Sequence, residues 1–151
     1  MSIISAKLAA EYLLAQIDDD SGDTVSNLKL QKLLYYAQGV HLALHGVKLF
    51  HEKIKAWEHG PVVPQVWHEY KDYGTGVIPP PSEVDFNQID EERRESLDET
   101  WDVFGQFSAW KLRNMTHAEP PWKNTSKNEE ITPRAIKSYF KTMIEDEEED
   151  G

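Results

Sequence analysis

The chain has 151 residues, 39% of them hydrophobic, which fits one folded domain and excludes a wholly disordered chain. It has no cysteine, which excludes disulfides, thiolate catalysis and cysteine-ligated metal sites. Its formal net charge is −11, with six acids in the run 145–150, and such a surface disfavours direct nucleic-acid binding. It would favour a basic partner, although on charge alone simple solubility is the better explanation.

The first half of the chain predicts two helices. The first spans residues 3–17 with Ser5 as its N-cap, and the acidic, glycine-containing segment 18–24 ends it as a loop. The second begins at Ser26 or Asn27 and runs to residue 45, where Gly46 stops it. Apolar residues recur along it at helical spacing over a wide face, so we expect this helix to lie at the centre of the fold.

The second half predicts shorter elements. Residues 48–57 favour one or two short extended pieces, and a turn with Gly60 precedes a helix that starts at Pro64. Further helices are predicted after the N-caps Asp90, Ser108 and Thr132, whereas 116–126 is expected to be irregular. The prediction is a mainly α, single compact domain of about six helices with a minor short β element near residues 48–57.

The sequence has no signal peptide and no apolar run long enough to cross a bilayer, so a cytoplasmic location without a membrane partner is expected.

The sequence contains only weak candidates for a metal site or a catalytic site. His41 and His45 have a spacing that two metal ligands could use, but no glutamate of the H-E-x-x-H type separates them. The competing interpretation places His41 in or beside the core and His45 in solvent. Ser108, His117 and Glu119 lack a nucleophile elbow around the serine.

We therefore predict no catalytic residue, no metal site, no cofactor and no enzyme activity, and a histidine-based metal-dependent enzyme stays open as an alternative. Three segments instead favour protein binding: residues 28–38, 56–64 and 116–122. The last two place aromatic side chains beside prolines, and rigid aromatic anchors lose little entropy on binding. The competing interpretation is that the tryptophans fill the core.

Seven residues in these segments are candidates for partner binding. Three lie off the apolar stripe of the second helix and are expected to be exposed: Lys29, Gln31 and Lys32. The other four candidates are Trp57, Glu58, His117 and Trp122.

The three segments in this order resemble the Panacea antitoxin domain family, the SocA-like and GepA-like phage-associated proteins. The resemblance lies in K-L-Q-K-L-L-Y-Y at 29–36, G-P-V-V-P at 60–64, T-H at 116–117 and P-W at 121–122, and it covers residues 3–122. It implies a Panacea-like antitoxin domain over residues 1–145, followed by an acidic tail, 146–151, that the charge run predicts to be disordered.

The resemblance further implies an antitoxin that neutralises a cognate toxin, encoded by the adjacent gene, by direct protein–protein binding. One branch of the family implies an alternative, a proteolytic adaptor that delivers a toxin to a AAA+ protease. The family pattern supplies no catalytic residues.

Overall fold

The computed structural model describes residues 3–18 and 23–150, with side chains described as far as residue 144. Within these ranges the helices are α1 Ala6–Ala15, α2 Asn27–His45, α3 Pro64–Tyr70, α4 Glu91–Phe104, α5 Ala109–His117, α6 Pro120–Lys123 and α7 Pro133–Asp150. A 3-10 turn, Lys71–Tyr73, follows α3. The strands β1 Ile54–Trp57, β2 Gly60–Val62 and β3 Glu130–Ile131 form one small antiparallel sheet in the order β2-β1-β3. The predicted mainly α class is confirmed.

The helix starts follow from local capping. The side chains of Ser5, Ser26, Asp90 and Ser108 each accept a hydrogen bond from the backbone N–H three residues later. These bonds satisfy N–H groups that have no partner within the helix. The caps predicted from the sequence are therefore confirmed at all four positions.

The segment 116–126 differs from the prediction of irregular structure. Helix α5 continues to His117, and Pro120 then occupies the first turn of α6. Proline suits this position because its missing N–H would have no helical partner there. The prolines of this segment therefore start a helix rather than prevent one.

The acidic C-terminal residues 145–150 belong to the last turns of α7. The helix backbone continues through Asp150, into the segment predicted to be a disordered tail. The side chains from residue 145 onward lie outside the described residues, so the state of this tail in solution stays a prediction. No helix in the described part of the chain combines the length and the apolar character needed to cross a membrane.

Helix α2 lies at the centre of the fold, as predicted. It packs against α1, α3, α4, α5, α7 and β2, and every residue from 29 to 42 is buried. The apolar stripe covers only part of the helix surface, so the stripe alone predicts that one face of α2 is buried. The structure instead buries α2 on all faces over residues 29–42.

Helix α7 approaches α2 closely at Gly39. A Cβ atom placed on Gly39 would lie 2.4 Å from ring atoms of Phe140, so only glycine leaves room for this ring. Tyr35 and Tyr36 contact the same ring edge-to-face, with centroid distances of 5.5 and 5.8 Å. Phe104 of α4 stacks on Tyr36 at 4.0 Å, which joins α2, α4 and α7 in one aromatic layer.

A buried carboxyl group lies next to this aromatic layer and binds the hydroxyls of its tyrosines. Glu119, in the connection between α5 and α6, accepts hydrogen bonds from the hydroxyls of Tyr35 at 2.9 Å and Tyr36 at 2.7 Å. The Tyr139 hydroxyl of α7 also donates to it. Burial raises the pKa of the Glu119 carboxyl to about 7, although the tyrosine hydroxyls oppose this shift. The carboxyl group therefore links α2 and α7 to the connection between α5 and α6.

The close approach at Gly39 gives the first prediction. Gly39→Ala should lower the free energy of unfolding by about 1–3 kcal/mol, because overlap with the Phe140 ring outweighs the better helix propensity of alanine. Urea denaturation measures this cost. In a Phe140→Ala background the same substitution should be neutral or stabilising, and an equal cost in both backgrounds would contradict the contact.

The Glu119 carboxyl group gives the second prediction. Its folded pKa of about 7 lies above its ordinary 4.5, so between these values the folded chain holds a proton that the unfolded chain has released. Because of this group, the free energy of unfolding should fall by about 1–3 kcal/mol as the pH rises from about 4.5 to 7.

Urea denaturation of the wild type and Glu119→Gln at pH 5 and pH 7.5 tests this expectation. All other titrating groups are shared, so the difference between the two proteins isolates Glu119. The wild type should lose more stability between the two pH values than the variant does, and parallel profiles would show that the carboxyl titrates normally.

Candidate functional site

An aromatic cleft opens beside the N-terminal half of α2. We use this name for the cavity of about 690 Å³ that has Trp57, Trp67 and Trp110 in its lining and the buried Gln31 and Lys32 on its inner side. The segment from β1 to α3 supplies the first two tryptophans and α5 supplies the third. A concave site lined by aromatic side chains and a few polar groups is a typical binding site.

The three tryptophans differ in how firmly they are held. The rings of Trp57 and Trp67 are half-buried and pack edge-to-face with centroids 5.6 Å apart. Trp110 is 58% exposed, and the guanidinium group of Arg113 lies 4.5 Å from its ring centroid. Two indoles therefore form a fixed wall, while the third projects toward solvent.

His117 and Trp122 support this wall from behind. Their rings stack with centroids 3.9 Å apart and an interplanar angle of 7°. The Trp122 indole N–H donates to the backbone carbonyl of Trp57 at 2.8 Å, which ties α6 to the end of β1. Burial lowers the pKa of His117, so the stacked ring is neutral at pH 7. Both residues thus hold Trp57 in place from outside the cleft lining.

The predicted exposure of Lys29, Gln31 and Lys32 is wrong. All three are buried, and Lys32 has no exposed surface at all. The amine of Lys29 donates to the carbonyl of Gly105 at 2.6 Å, and that of Lys32 donates to the carbonyl of Pro61 at 3.1 Å. Charge reversal at either lysine would therefore test packing rather than a binding surface.

Gln31 connects α2 to the segment that contains the start of α3. Its Oε1 accepts from the backbone N–H of Val63 at 2.9 Å, and its Nε2 donates to Asn27 Oδ1 at 2.9 Å. Asn27 in turn donates to the carbonyl of Trp67 at 3.1 Å. This chain of hydrogen bonds fixes the start of α3 and, with it, the position of Trp67.

Lys32 is the point where the three segments singled out in the sequence meet. Gly60 has a φ of +112°, and a Cβ there would lie 2.7 Å from Lys32 Cε and 2.8 Å from Thr116 Oγ1. Glycine is therefore required for both conformation and space. Burial lowers the pKa of Lys32 to about 7, and no carboxylate in the described ranges lies within ion-pair distance of its amine.

The structure thus brings together most of the predicted candidates. Gln31, Lys32, Trp57 and Glu58 line the aromatic cleft, with His117 and Trp122 directly behind it. Lys29 lies elsewhere, with its amine 5.8 Å from the centroid of the Trp101 ring.

Two cleft tryptophans were not among the candidates, Trp67 and Trp110. Trp67 lies one residue after the buried Val66 on α3, and this apolar pattern by itself predicts a place in the core. Trp110 lies beside Leu112 but off the buried face of α5, and a large aromatic side chain outside the apolar stripe was the available signal.

The histidine pair has its own partners. His41 lies in the core, as one interpretation predicts, and its Nδ1 is 2.8 Å from Ser96 Oγ. Burial lowers the pKa of His41 to about 4, which keeps it neutral. His45 Nδ1 lies 3.2 Å from Glu92 Oε2, so His45 is only partly solvated. Over residues 3–18 and 23–144, no group of three or more potential metal ligands of the His, Asp or Glu type comes together.

Comparison with known proteins identifies relatives of this chain. The family model described as "Antitoxin SocA-like, Panacea domain" matches residues 30–123, which include every described tryptophan of the cleft. The curated protein "Antitoxin SocA" of Caulobacter vibrioides (strain NA1000 / CB15N) is 31% identical over an alignment of 116 residues, and the match covers 65% of this chain. The chain spans only 58% of the length of that relative. No solved structure matches.

The matched region extends over more than half of the sequence and contains the segments 56–64 and 116–122 and nearly all of 28–38. This protein therefore belongs to the Antitoxin SocA-like family and carries its Panacea domain.

Proposed function

We propose that this chain is an antitoxin that neutralises a cognate toxin by direct binding, and that the aromatic cleft receives the toxin. Family membership and the similarity to a protein named Antitoxin SocA support the antitoxin role. The observation that carries the binding mode is the cleft itself, where three tryptophans line one concave surface within the matched region.

The cleft is suited to protein binding because its walls are ordered before a partner arrives. Trp57 is held by Trp67 in front and by Trp122 behind, so its ring loses little freedom on association. Trp110 offers a large exposed surface that a partner would bury. Tryptophan is enriched among the residues that dominate binding energy at interfaces, which makes these side chains the expected anchors.

The edge of the cleft carries charges of both signs. Glu58 and His59 lie at the β1–β2 turn, and Lys127 also lines the cleft. Mixed charges at the rim of an aromatic centre are typical of specific protein interfaces, where they select the partner and its orientation. We expect the partner to be the product of the neighbouring gene, as the family resemblance implies.

The test uses Trp110→Ala, because Trp110 is the most exposed cleft tryptophan and its removal should leave the fold intact. We expect the affinity for the purified neighbouring gene product to fall by about tenfold or more. In cells that express this toxin, the variant should fail to restore growth. Isothermal titration and growth curves measure the two effects.

Val47→Ala is the matched control, because Val47 is 53% exposed but lies outside the cleft. It should bind and neutralise like the wild type. Circular dichroism and thermal melting should show both variants folded. Equal affinity of the two variants would remove the cleft from the interface, and the absence of binding by the wild type would contradict the proposed function.

The half-life of the toxin separates direct neutralisation from delivery to a protease. An antitoxin that only blocks its toxin should leave the toxin's half-life in cells unchanged or lengthen it. A proteolytic adaptor should shorten the half-life, and deletion of the protease should reverse this. A shortened half-life would favour the adaptor alternative.

A further inference from the structure

A second surface lies at the other end of α2, away from the aromatic cleft. The C-terminal half of α2, together with α4 and α7, encloses a groove of about 480 Å³, which we call the acidic-rimmed groove. Its described lining consists of seven apolar side chains and the two carboxylates of Glu95 and Glu99. No Lys, Arg or His is among these lining residues.

The base of this groove is tightly packed, whereas its sides are exposed to solvent. Phe104 and Phe140 form the base, and both contact the ring of Tyr36, at centroid distances of 4.0 and 5.8 Å. Leu44 is 50% exposed on one side and Val103 is also exposed on the other. Large apolar side chains grouped on an exposed surface indicate an interaction site more often than isolated ones do.

Both charged side chains that line the groove are acidic. Glu95 and Glu99 are exposed on α4, one helical turn apart on the face that borders the groove. An apolar lining with two carboxylates at its edge matches a ligand that is apolar on one face and cationic at its edges.

We propose that the acidic-rimmed groove docks a basic amphipathic helix of the toxin, an inference that rests on the proposed function. The apolar face of such a helix, with residues at i, i+3, i+4 and i+7, would cover Leu44 and Val103. Its lysines and arginines would lie over Glu95 and Glu99.

A neutral or acidic helix fits less well, because it would take these carboxylates out of water without giving them a partner. A second copy of this chain fits poorly too. It carries the same net charge of −11 and would bring like charges together across the groove. The toxin contact at the groove is therefore expected to be electrostatically steered, with the cleft as a separate anchoring point.

The experiment compares Leu44→Lys with Val47→Lys, using the purified neighbouring gene product as the probe. Both positions are about half exposed, but only Leu44 lines the groove. Leu44→Lys should weaken binding by about tenfold or more, because it removes an apolar contact and places a cation opposite the basic helix. Val47→Lys should change affinity by less than about twofold.

A second variant tests the charges. Replacing both carboxylates, as Glu95→Gln with Glu99→Gln, should slow association at low ionic strength and flatten its dependence on salt. The dissociation rate should change less. Stopped-flow measurements at several salt concentrations separate these effects, and unchanged salt dependence would contradict the role of the rim.

A synthetic 18-residue helix with leucines on one face and lysines on the other serves as an independent probe. It should bind the wild type but not Leu44→Lys, and its glutamate counterpart should bind neither. If the toxin binds wild type and Leu44→Lys equally, the groove inference is overturned while the proposed function stands. If the toxin does not bind the wild type at all, the proposed function is wrong. Binding of the synthetic peptide then still tests whether the groove accepts a basic helix.

The oligomeric state tests whether a second copy of the chain covers the groove. The wild type should be monomeric by light scattering up to high concentration. A dimer that Leu44→Lys abolishes would show that a second copy covers the groove, and the inference would then be wrong.

Discussion

The burial of α2 on every face is the constraint on which the rest of the structure depends. A buried polar side chain costs free energy unless it finds a hydrogen-bond partner. Several polar residues of α2 find theirs in the backbone of the surrounding segments. Lys29 donates to the carbonyl of Gly105, Lys32 donates to that of Pro61, and Gln38 accepts from the N–H of Leu49 and donates to the carbonyl of Phe50. The helix thereby fixes the backbone of three surrounding segments.

This arrangement explains how short elements can carry rigid aromatic groups. The tryptophans of the cleft lie on β1, α3 and α5, which have only four, seven and nine residues. Gln31, Asn27 and Lys32 hold these segments from the inside, and Trp122 holds Trp57 from the outside. A binding surface built this way is ordered before the partner arrives, which favours affinity.

The same helix connects two surfaces of different chemistry. Its first turns lie behind the aromatic cleft, whereas Val40 and Leu44 near its end line the acidic-rimmed groove. The aromatic layer of Tyr36, Phe104 and Phe140 lies beneath that groove, beside the buried carboxylate of Glu119. A partner that occupied both surfaces would contact opposite ends of one rigid element, so the two contacts would reinforce each other.

Local signals in the sequence were enough to determine most of the helix starts, the central position of α2 and the family. Ser26 and Gly46 mark the ends of α2 because capping depends on neighbouring residues alone. Only the tertiary structure decided that Lys29, Gln31 and Lys32 are buried, since the apolar pattern of one helix cannot show how many neighbours surround it. Trp110 and Leu44 are exposed for the same reason: whether an apolar side chain is covered depends on elements distant in sequence, and those elements leave these two open.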